Sequence, residues 1–451
     1  MTDMKALARL MKELEDQLVV CMRCGMCQAV CPLFEQTGRE ADVARGKLAL
    51  LDGLMQEMFR DAEGTYERLN RCLLCGSCAA NCPSGVSVLE IFLKARAILT
   101  GYVGLSPAKR ILFRGMLARP KLFDRIAEWG AKLQKLFTKP VNDVMGTSCA
   151  RVMSPLLSDR HFVPLAEKPF HKILPQLNED PKAGRPKVLF FVGCLIDKIF
   201  PNVAEASIRA LRHHEVGIVI PRNMGCCGIP ALSSGDLEAF KRLVIHNLSC
   251  FESVSFDYLI TACATCTATI KKIWPVMMRQ VSGMSPEILS KVAALSDKTM
   301  DISWFLVRVA GASPRPLSNS DKGKGFKEEC VTYHDPCHLK KSLGISEEPR
   351  ILLRTNPDYR FKEMPASDWC CGMGGSFNLS YYEISDRIGK RKRDAVLSTG
   401  CKTVATSCPA CMLQISDMLS KSNQRIRVRH AIEIYARTLD DRKTSFPHIP
   451  E

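Results

Sequence analysis

CMRCGMCQAVCP, residues 21–32, and CLLCGSCAANCP, residues 72–83, carry one cysteine spacing twice. The pattern is C-x2-C-x2-C-x3-C-P, with Cys21, Cys24, Cys27 and Cys31 before Pro32, and Cys72, Cys75, Cys78 and Cys82 before Pro83. Three thiolates so close together wrap one small inorganic cube, and the fourth, before proline, reaches a neighbouring one. A structural zinc ion usually takes two separated C-x2-C pairs, which leaves this third and fourth cysteine unexplained.

The run is that of a two-cluster bacterial ferredoxin and predicts two [4Fe–4S] clusters. Cys21, Cys24, Cys27 and Cys82 are expected to hold the first, and Cys72, Cys75, Cys78 and Cys31 the second. Gly25 and Gly76 sit inside the loops, where backbone N–H groups must approach sulfur. Between the runs, Ala41 to Met58 is apolar at helical spacing. Arg45 and Gly46 within it either line a cluster or belong to an ordinary helix.

Outward from this head, ten more cysteines fall into two sets. Cys194, Cys226, Cys227, Cys263 and Cys266 form the first, and Cys337, Cys370, Cys371, Cys408 and Cys411 the second. Cys194, Cys226, Cys263 and Cys266 recur 143, 144, 145 and 145 positions later, so the chain contains an internal repeat. Each set is a lone cysteine, an adjacent pair followed by glycine (Gly228, Gly372), and a C-x2-C. Adjacent cysteines serve two neighbouring irons more easily than one small ion, with zinc or buried thiols as the alternatives. The spacing around Cys408 and Cys411 puts them at a helix N-terminus, which favours thiolate. His334 and His338 flank Cys337, as proton carriers and cluster tuners or as hydrogen-bonding and capping residues.

The rest of the chain follows from these anchors. The 451 residues allow several domains. The expected fold is α+β multidomain: a helical ferredoxin-like head (1–100), a basic helical region (101–180), and two related α/β units (181–310 and 330–440). Polar stretches Leu177 to Lys187 and Gly311 to Glu329 separate the parts. Residues 188–192, 217–220, 258–261, 330–334 and 403–406 read as strands. Residues 204–214, 237–254 and 382–397 read as helices. Cys149, Cys250, Cys330 and Cys401 stand outside the patterns and read as buried free thiols.

Twenty-two cysteines without a secretory leader argue for a cytoplasmic metalloprotein rather than a disulfide scaffold. The longest apolar run, Val188 to Ile196, is too short to span a bilayer. The net charge of +16 is spread along the chain without interleaved aromatics, and anionic clusters would offset it, so nucleic acid is not expected as a partner. Residues 106–139 hold nine basic and two acidic residues, with Leu122, Ile126, Trp129, Leu133 and Leu136 at helical spacing. That stripe is either a packing helix or a basic amphipathic helix for peripheral contact with the inner membrane face. No complete G-x-G-x-x-G and no Walker A motif is present, so flavin, which hydride removal requires, is expected on a partner.

HDPCHL (334–339), CCGMGGSF (370–377) and SCPACMLQ (407–414), with CCGIP (226–230) and CATC (263–266), resemble the cysteine-rich CCG domains. These occur in heterodisulfide reductase subunits, glycolate oxidase and lactate-oxidation iron–sulfur subunits, and the anaerobic glycerol-3-phosphate dehydrogenase membrane-anchor subunit. The order of two ferredoxin motifs and two CCG domains, over almost the whole chain, is most similar to the glycolate oxidase iron–sulfur subunit and its D-lactate-oxidising relatives. The resemblance implies one or two further iron–sulfur clusters at the CCG sites. It also implies an FAD-containing 2-hydroxyacid dehydrogenase partner, acting on glycolate or D-lactate, and onward transfer to quinone or another carrier. A heterodisulfide-reductase-like subunit that reduces a disulfide at a CCG cluster is the alternative.

Overall fold

The computed structural model describes residue 7, residues 11–151, 159–313 and 329–437, and residue 439. Most of the stretch expected to link the two units, 314–328, lies outside the described residues.

The head is helical. Ala44–Met55 and Val88–Val103 supply its core through Leu48, Leu51, Leu54, Ile91, Phe92 and Leu99. Burial of such side chains contributes about 1.5–3 kcal/mol each. Both cysteine loops take the same turn: Arg23 and Leu74 have φ of 57° and 54°, and Gly25 and Gly76 follow at 86° and 74°. A left-handed non-glycine residue at the same place in both loops marks a backbone shaped for function.

After the head comes the helix Pro120–Phe137, then a hairpin of β1 (Thr138–Asn142) and β2 (Thr147–Ala150). The helix is amphipathic, as its spacing predicts, but the core-packing reading of its stripe fails. Leu122, Ile126, Trp129, Leu133 and Leu136 all face outward, Trp129 being 69% exposed. Ala127 and Ala131 form the buried side. The helix's two acids also turn inward, Asp124 to Lys198 at 2.7 Å and Glu128 to His171 at 3.0 Å.

The first α/β unit has five strands: β3 (Leu177–Glu179), β4 (Lys187–Phe190), β5 (Gly217–Ile220), β6 (Tyr258–Thr261) and β7 (Thr299–Asp301), in the order β3-β5-β4-β6-β7. All neighbours are parallel except β3, which pairs antiparallel with β5. Part of the expected separator 177–187 thus becomes an edge strand. The second unit has β8 (Glu329–His334), β9 (Tyr359–Phe361), β10 (Thr403–Thr406) and β11 (Arg427–His430), all parallel, in the order β11-β10-β8-β9. With β3 set aside, the two strand orders are the same. β5 and β10 are buried at every position, as strands of a covered parallel sheet are.

One reading of the cysteines is corrected. Cys330 and Cys401 are not free thiols: they form a disulfide. Cys330 lies at the start of β8 and Cys401 just before β10, and these strands run side by side with Val331 opposite Thr403. Two cysteines 71 residues apart thereby become neighbours. Cys149 and Cys250 are free and partly exposed.

Candidate iron–sulfur sites

In both units the cysteines follow the carboxyl ends of the strands. Cys194 follows β4, Cys226 and Cys227 follow β5, and Cys263 and Cys266 follow β6. Cys337, Cys370, Cys371, Cys408 and Cys411 follow β8, β9 and β10 in the same way. β4 and β8 each start a chain path that goes first to one side and then to the other. Such a switch point opens a crevice beyond the strand ends, where ligands of open α/β sheets sit.

The local backbone brings the sulfurs inward. Gly228 and Gly372, at φ of 93° and 94°, turn the chain after each adjacent pair. A Cβ there would lie 2.7 Å from the Phe240 ring or from the Ser385 carbonyl, so only glycine fits. Cys263 and Cys408 occupy the N-cap positions of Ala264–Ala268 and Pro409–Lys421, as the spacing around Cys408 predicts. Within the sets, Cys194 Sγ lies 3.6 Å from Cys226 Sγ, and Cys371 Sγ lies 3.5 Å from Cys411 Sγ.

Sequence reasoning did not anticipate that the two sets share one chamber. All ten cysteines line a single cavity of ≈ 450 Å³. Cys263 and Cys408 come together across it, where the Ala264 N–H donates to the Ser407 carbonyl at 3.1 Å. Thr265 Oγ1 lies 3.4 Å from Cys408 Sγ and 3.1 Å from His338 Nδ1. His338 Nε2 reaches the Leu74 carbonyl of the head at 3.2 Å, so this histidine ties all three parts together.

The head completes the line. Cys21, Cys24, Cys27 and Cys82 border one small cavity, with Arg45 beside them. Cys31, Cys72, Cys75 and Cys78 border another, and Cys78 reaches both. Gly46 does not line either; it packs against the Glu40 carbonyl, where a Cβ would come within 2.1 Å. Cys75 packs against Cys370 of the second unit in one buried cluster. Cys24, at the opposite end, is exposed.

The donor set fits iron–sulfur chemistry. Burial pushes the Cys31 thiol up to about 12 and holds Cys78 well above its ordinary value. Thiolates so placed need positive charge among them, which a metal supplies. The second cysteine of each adjacent pair behaves otherwise. Cys227, bonded by Cys226 and Cys266, and Cys371, bonded by Cys370 and Cys411, are both held well below the usual thiol range.

Two charged groups escaped the sequence reading. Lys47 is buried beside Cys31 and Cys72 and bonds the Asp42 carbonyl. Arg96 is buried and donates to the carbonyls of Leu69, Cys72 and Ser233, joining head to first unit. Each stands two residues after another cation, Arg45 and Lys94, so nothing in the local sequence singled it out. His334, one of the two histidines that flank Cys337, is 1% exposed, has its Nε2 unpartnered, and offers a ring nitrogen within 4.8 Å of the Cys371 and Cys411 sulfurs.

Comparison with known proteins agrees with this geometry. Residues 17–86 match a 4Fe-4S dicluster domain, and residues 188–271 and 331–416 match the cysteine-rich CCG domain. The chain is 29% identical over 432 residues to the "Probable glycolate oxidase iron-sulfur subunit" of Bacillus subtilis, covering 92% of each protein. It is 31% identical over 248 residues to "Lactate utilization protein A" of Bacillus cytotoxicus, 55% of this chain and 98% of that protein. It is 28% identical over 418 residues to a subunit of the fumarate reductase (CoM/CoB) of Methanothermobacter marburgensis, 92% of this chain and 71% of that protein. A hypothetical protein from Helicobacter pylori shares the fold at a TM-score of 0.50 and 10% identity, covering 98% of this chain and 78% of that one. With a dicluster head, two CCG domains at matching switch points and these relatives, the chain belongs to the family of glycolate oxidase and lactate-utilization iron–sulfur subunits.

Proposed function

We propose that the chain is the electron-transfer subunit of an FAD-dependent 2-hydroxyacid dehydrogenase acting on glycolate or D-lactate, delivering electrons to a quinone. Clusters bound at these cysteines supply one-electron transfer. The chain's own residues hold the sites in line, exclude water and set their surroundings. Cys21, Cys24, Cys27 and Cys82 hold one [4Fe–4S] cluster, Cys72, Cys75, Cys78 and Cys31 the other, and the two five-cysteine sets hold one further cluster each. The observation that carries this reading is the unbroken line of cysteine sets, from exposed Cys24 to the shared chamber, with Cys75 touching Cys370. A flavin on the partner docks at the Cys24 end.

Replacing Cys24 with alanine should abolish acceptor reduction while substrate still reduces the partner's flavin. Loss of flavin reduction in the assembled complex would argue against this division of labour. Anaerobic analysis should find about eight irons from the head and up to about eight more from the CCG sites.

The outward face of Pro120–Phe137 suits peripheral attachment to an anionic membrane, since its apolar stripe is exposed and its acids are turned inward. Among the described residues no helix is long and apolar enough to cross a membrane. The complex should sediment with anionic vesicles at low salt and leave them at high salt, where the Debye length falls to about 3 Å at 1 M. Lys132→Glu with Lys135→Glu and Lys139→Glu should lower the bound fraction without lowering cluster content. Normal vesicle binding with loss of the FAD partner would make this face a subunit interface.

One observation favours a second reading. The two sets face each other across one chamber with Cys263 against Cys408, an arrangement suited to holding the two halves of a disulfide substrate. Disulfide turnover by the complex without 2-hydroxyacid oxidation would select it.

A further inference from the structure

The first CCG site has a second side. Cys194 and Cys226 also border a separate cavity of ≈ 350 Å³ on the outer flank of the unit. Phe123 of Pro120–Phe137 forms its roof, and Phe170 and Leu174 form an apolar wall. A ring compound fits a pocket of this size, since small-molecule sites begin at about 300 Å³.

The pocket is built with one buried cation. Lys198 is 6% exposed, and its Nζ bonds Asp124 at 2.7 Å and also Asp197. Asp197 in turn takes His171 Nδ1 at 2.9 Å, and His171 Nε2 bonds Glu128 at 3.0 Å. The side chains of His171 and Glu128 are each 25% exposed, so this string runs from the buried ammonium to solvent. Burial works against the charges on Lys198 and His171, yet the carboxylates beside them outweigh it and raise both pKa values. Asp124, His171 and Asp197 are close enough to hold a metal ion, but the Lys198 ammonium already stands between the two aspartates.

We propose that this pocket seats a quinone, with a ring carbonyl held by Lys198 and protons delivered along Glu128, His171 and Asp197. The inference rests on the electron-transfer reading above and names where its acceptor binds. Three features select a quinone: apolar walls for the ring, a cationic donor for a carbonyl oxygen, and a cysteine-site wall from which electrons arrive singly. The roof helix carries the exposed apolar stripe on its other side, where a lipid phase would lie. The chemistry balances. Oxidation of a 2-hydroxyacid to a 2-oxoacid at the partner's flavin releases two electrons and two protons. The quinone takes two electrons through the cysteine sites and two protons from solvent along the string, and its two carbonyls become hydroxyls.

The test uses the full complex and a short-chain azidoquinone as photolabel. Label should enter peptides covering 117–124 or 170–175 and be competed by unlabelled short-chain quinone. Leu174→Trp, which fills the pocket, should raise the quinone KM about tenfold. His171→Gln should lower kcat for quinone with KM kept, while ferricyanide, which takes no proton, is reduced at the wild-type rate. Label confined to the chamber between the two CCG units, or a wild-type KM in Leu174→Trp, overturns the site and leaves the relay standing. Failure of the wild-type complex to reduce any quinone overturns the relay and the site with it.

Discussion

At the end of β8 the second unit reads Tyr333, His334, Asp335, Pro336, Cys337; at the end of β4 the first reads Phe190, Phe191, Val192, Gly193, Cys194. Cysteine spacing and topology match, but the surroundings do not. His334 donates from Nδ1 to the Ser367 carbonyl, 3.1 Å away, leaves its Nε2 unpartnered, and stands with a ring nitrogen within 4.8 Å of two cysteine sulfurs. Burial pulls its pKa down to about 3, so the ring is neutral. Asp335 behind it pairs with Arg350 through two bonds of 2.8 Å, and Arg350 also reaches Glu363. The first unit has Phe191 in place of His334, packed edge-on against Phe251 at 6.3 Å between centroids, and Val192 in place of Asp335. Its polar support comes from elsewhere: Trp274 Nε1 donates to the Cys227 carbonyl at 2.8 Å. Hydrogen bonds and charge around sulfur tune a cluster's potential, so one donor set in two settings makes two electronically different sites. The polar one touches the head, and the apolar one borders the outer pocket.

The sharpest test of this difference removes one cysteine from each unit. Cys371→Ser should cut acceptor turnover by more than the about 100-fold typical of outer-sphere changes, and leave the first CCG site unreduced by the partner. Cys227→Ser should cut turnover as deeply, yet leave the second site reducible, as followed by electron paramagnetic resonance. The opposite pattern would reverse the order of the two units in the path.

The buried ion pair should be next in size. Arg350→Met strands Asp335 and is expected to cost about 3–5 kcal/mol in unfolding of the full chain. The pH dependence gives the sign. Burial pushes the Asp335 carboxyl up, but Arg350 outweighs it and holds it below its ordinary value. The pair's contribution is therefore complete above the ordinary aspartate pKa of about 4 and is lost as pH falls below it. Acid titration of wild type should show that loss, and Arg350→Met should lack it.

His334→Phe copies the first unit into the second. With Nδ1–H given to the Ser367 carbonyl, the neutral ring keeps a bare lone pair on Nε2, so its removal should raise the second site's reduction potential and weaken cluster retention by about 10–100-fold, with the first site unchanged in the same redox titration. An unchanged potential would mean the imidazole does not act on the second site. Thr265→Val should be mildest, at about 1 kcal/mol, because it removes only the hydroxyl between His338 and Cys408. Denaturant melts would measure it.

Local sequence alone determined much of this protein. Cysteine spacing acts over a few residues, where the backbone has few options, so both head loops and the helix cap at Cys408 were legible. Strands 217–220, 258–261 and 403–406 and the helix 382–397 were legible too, because buried parallel strands and amphipathic helices announce themselves by periodicity. The tertiary structure decided what depends on pairs distant in sequence. Edge strands such as 177–179 and 359–361 are too short to carry a period, and exist because a neighbouring strand offers its open edge. Cys330 and Cys401 became partners only when β8 and β10 lay side by side. The stripe at 122–136 has the pattern of a core helix and of a surface helix alike; docking of its acids onto Lys198 and His171 turned it outward. The shared chamber, the contact between Cys75 and Cys370 and the unpaired nitrogen of His334 likewise arise where separate elements meet, since packing between units leaves no period in either one.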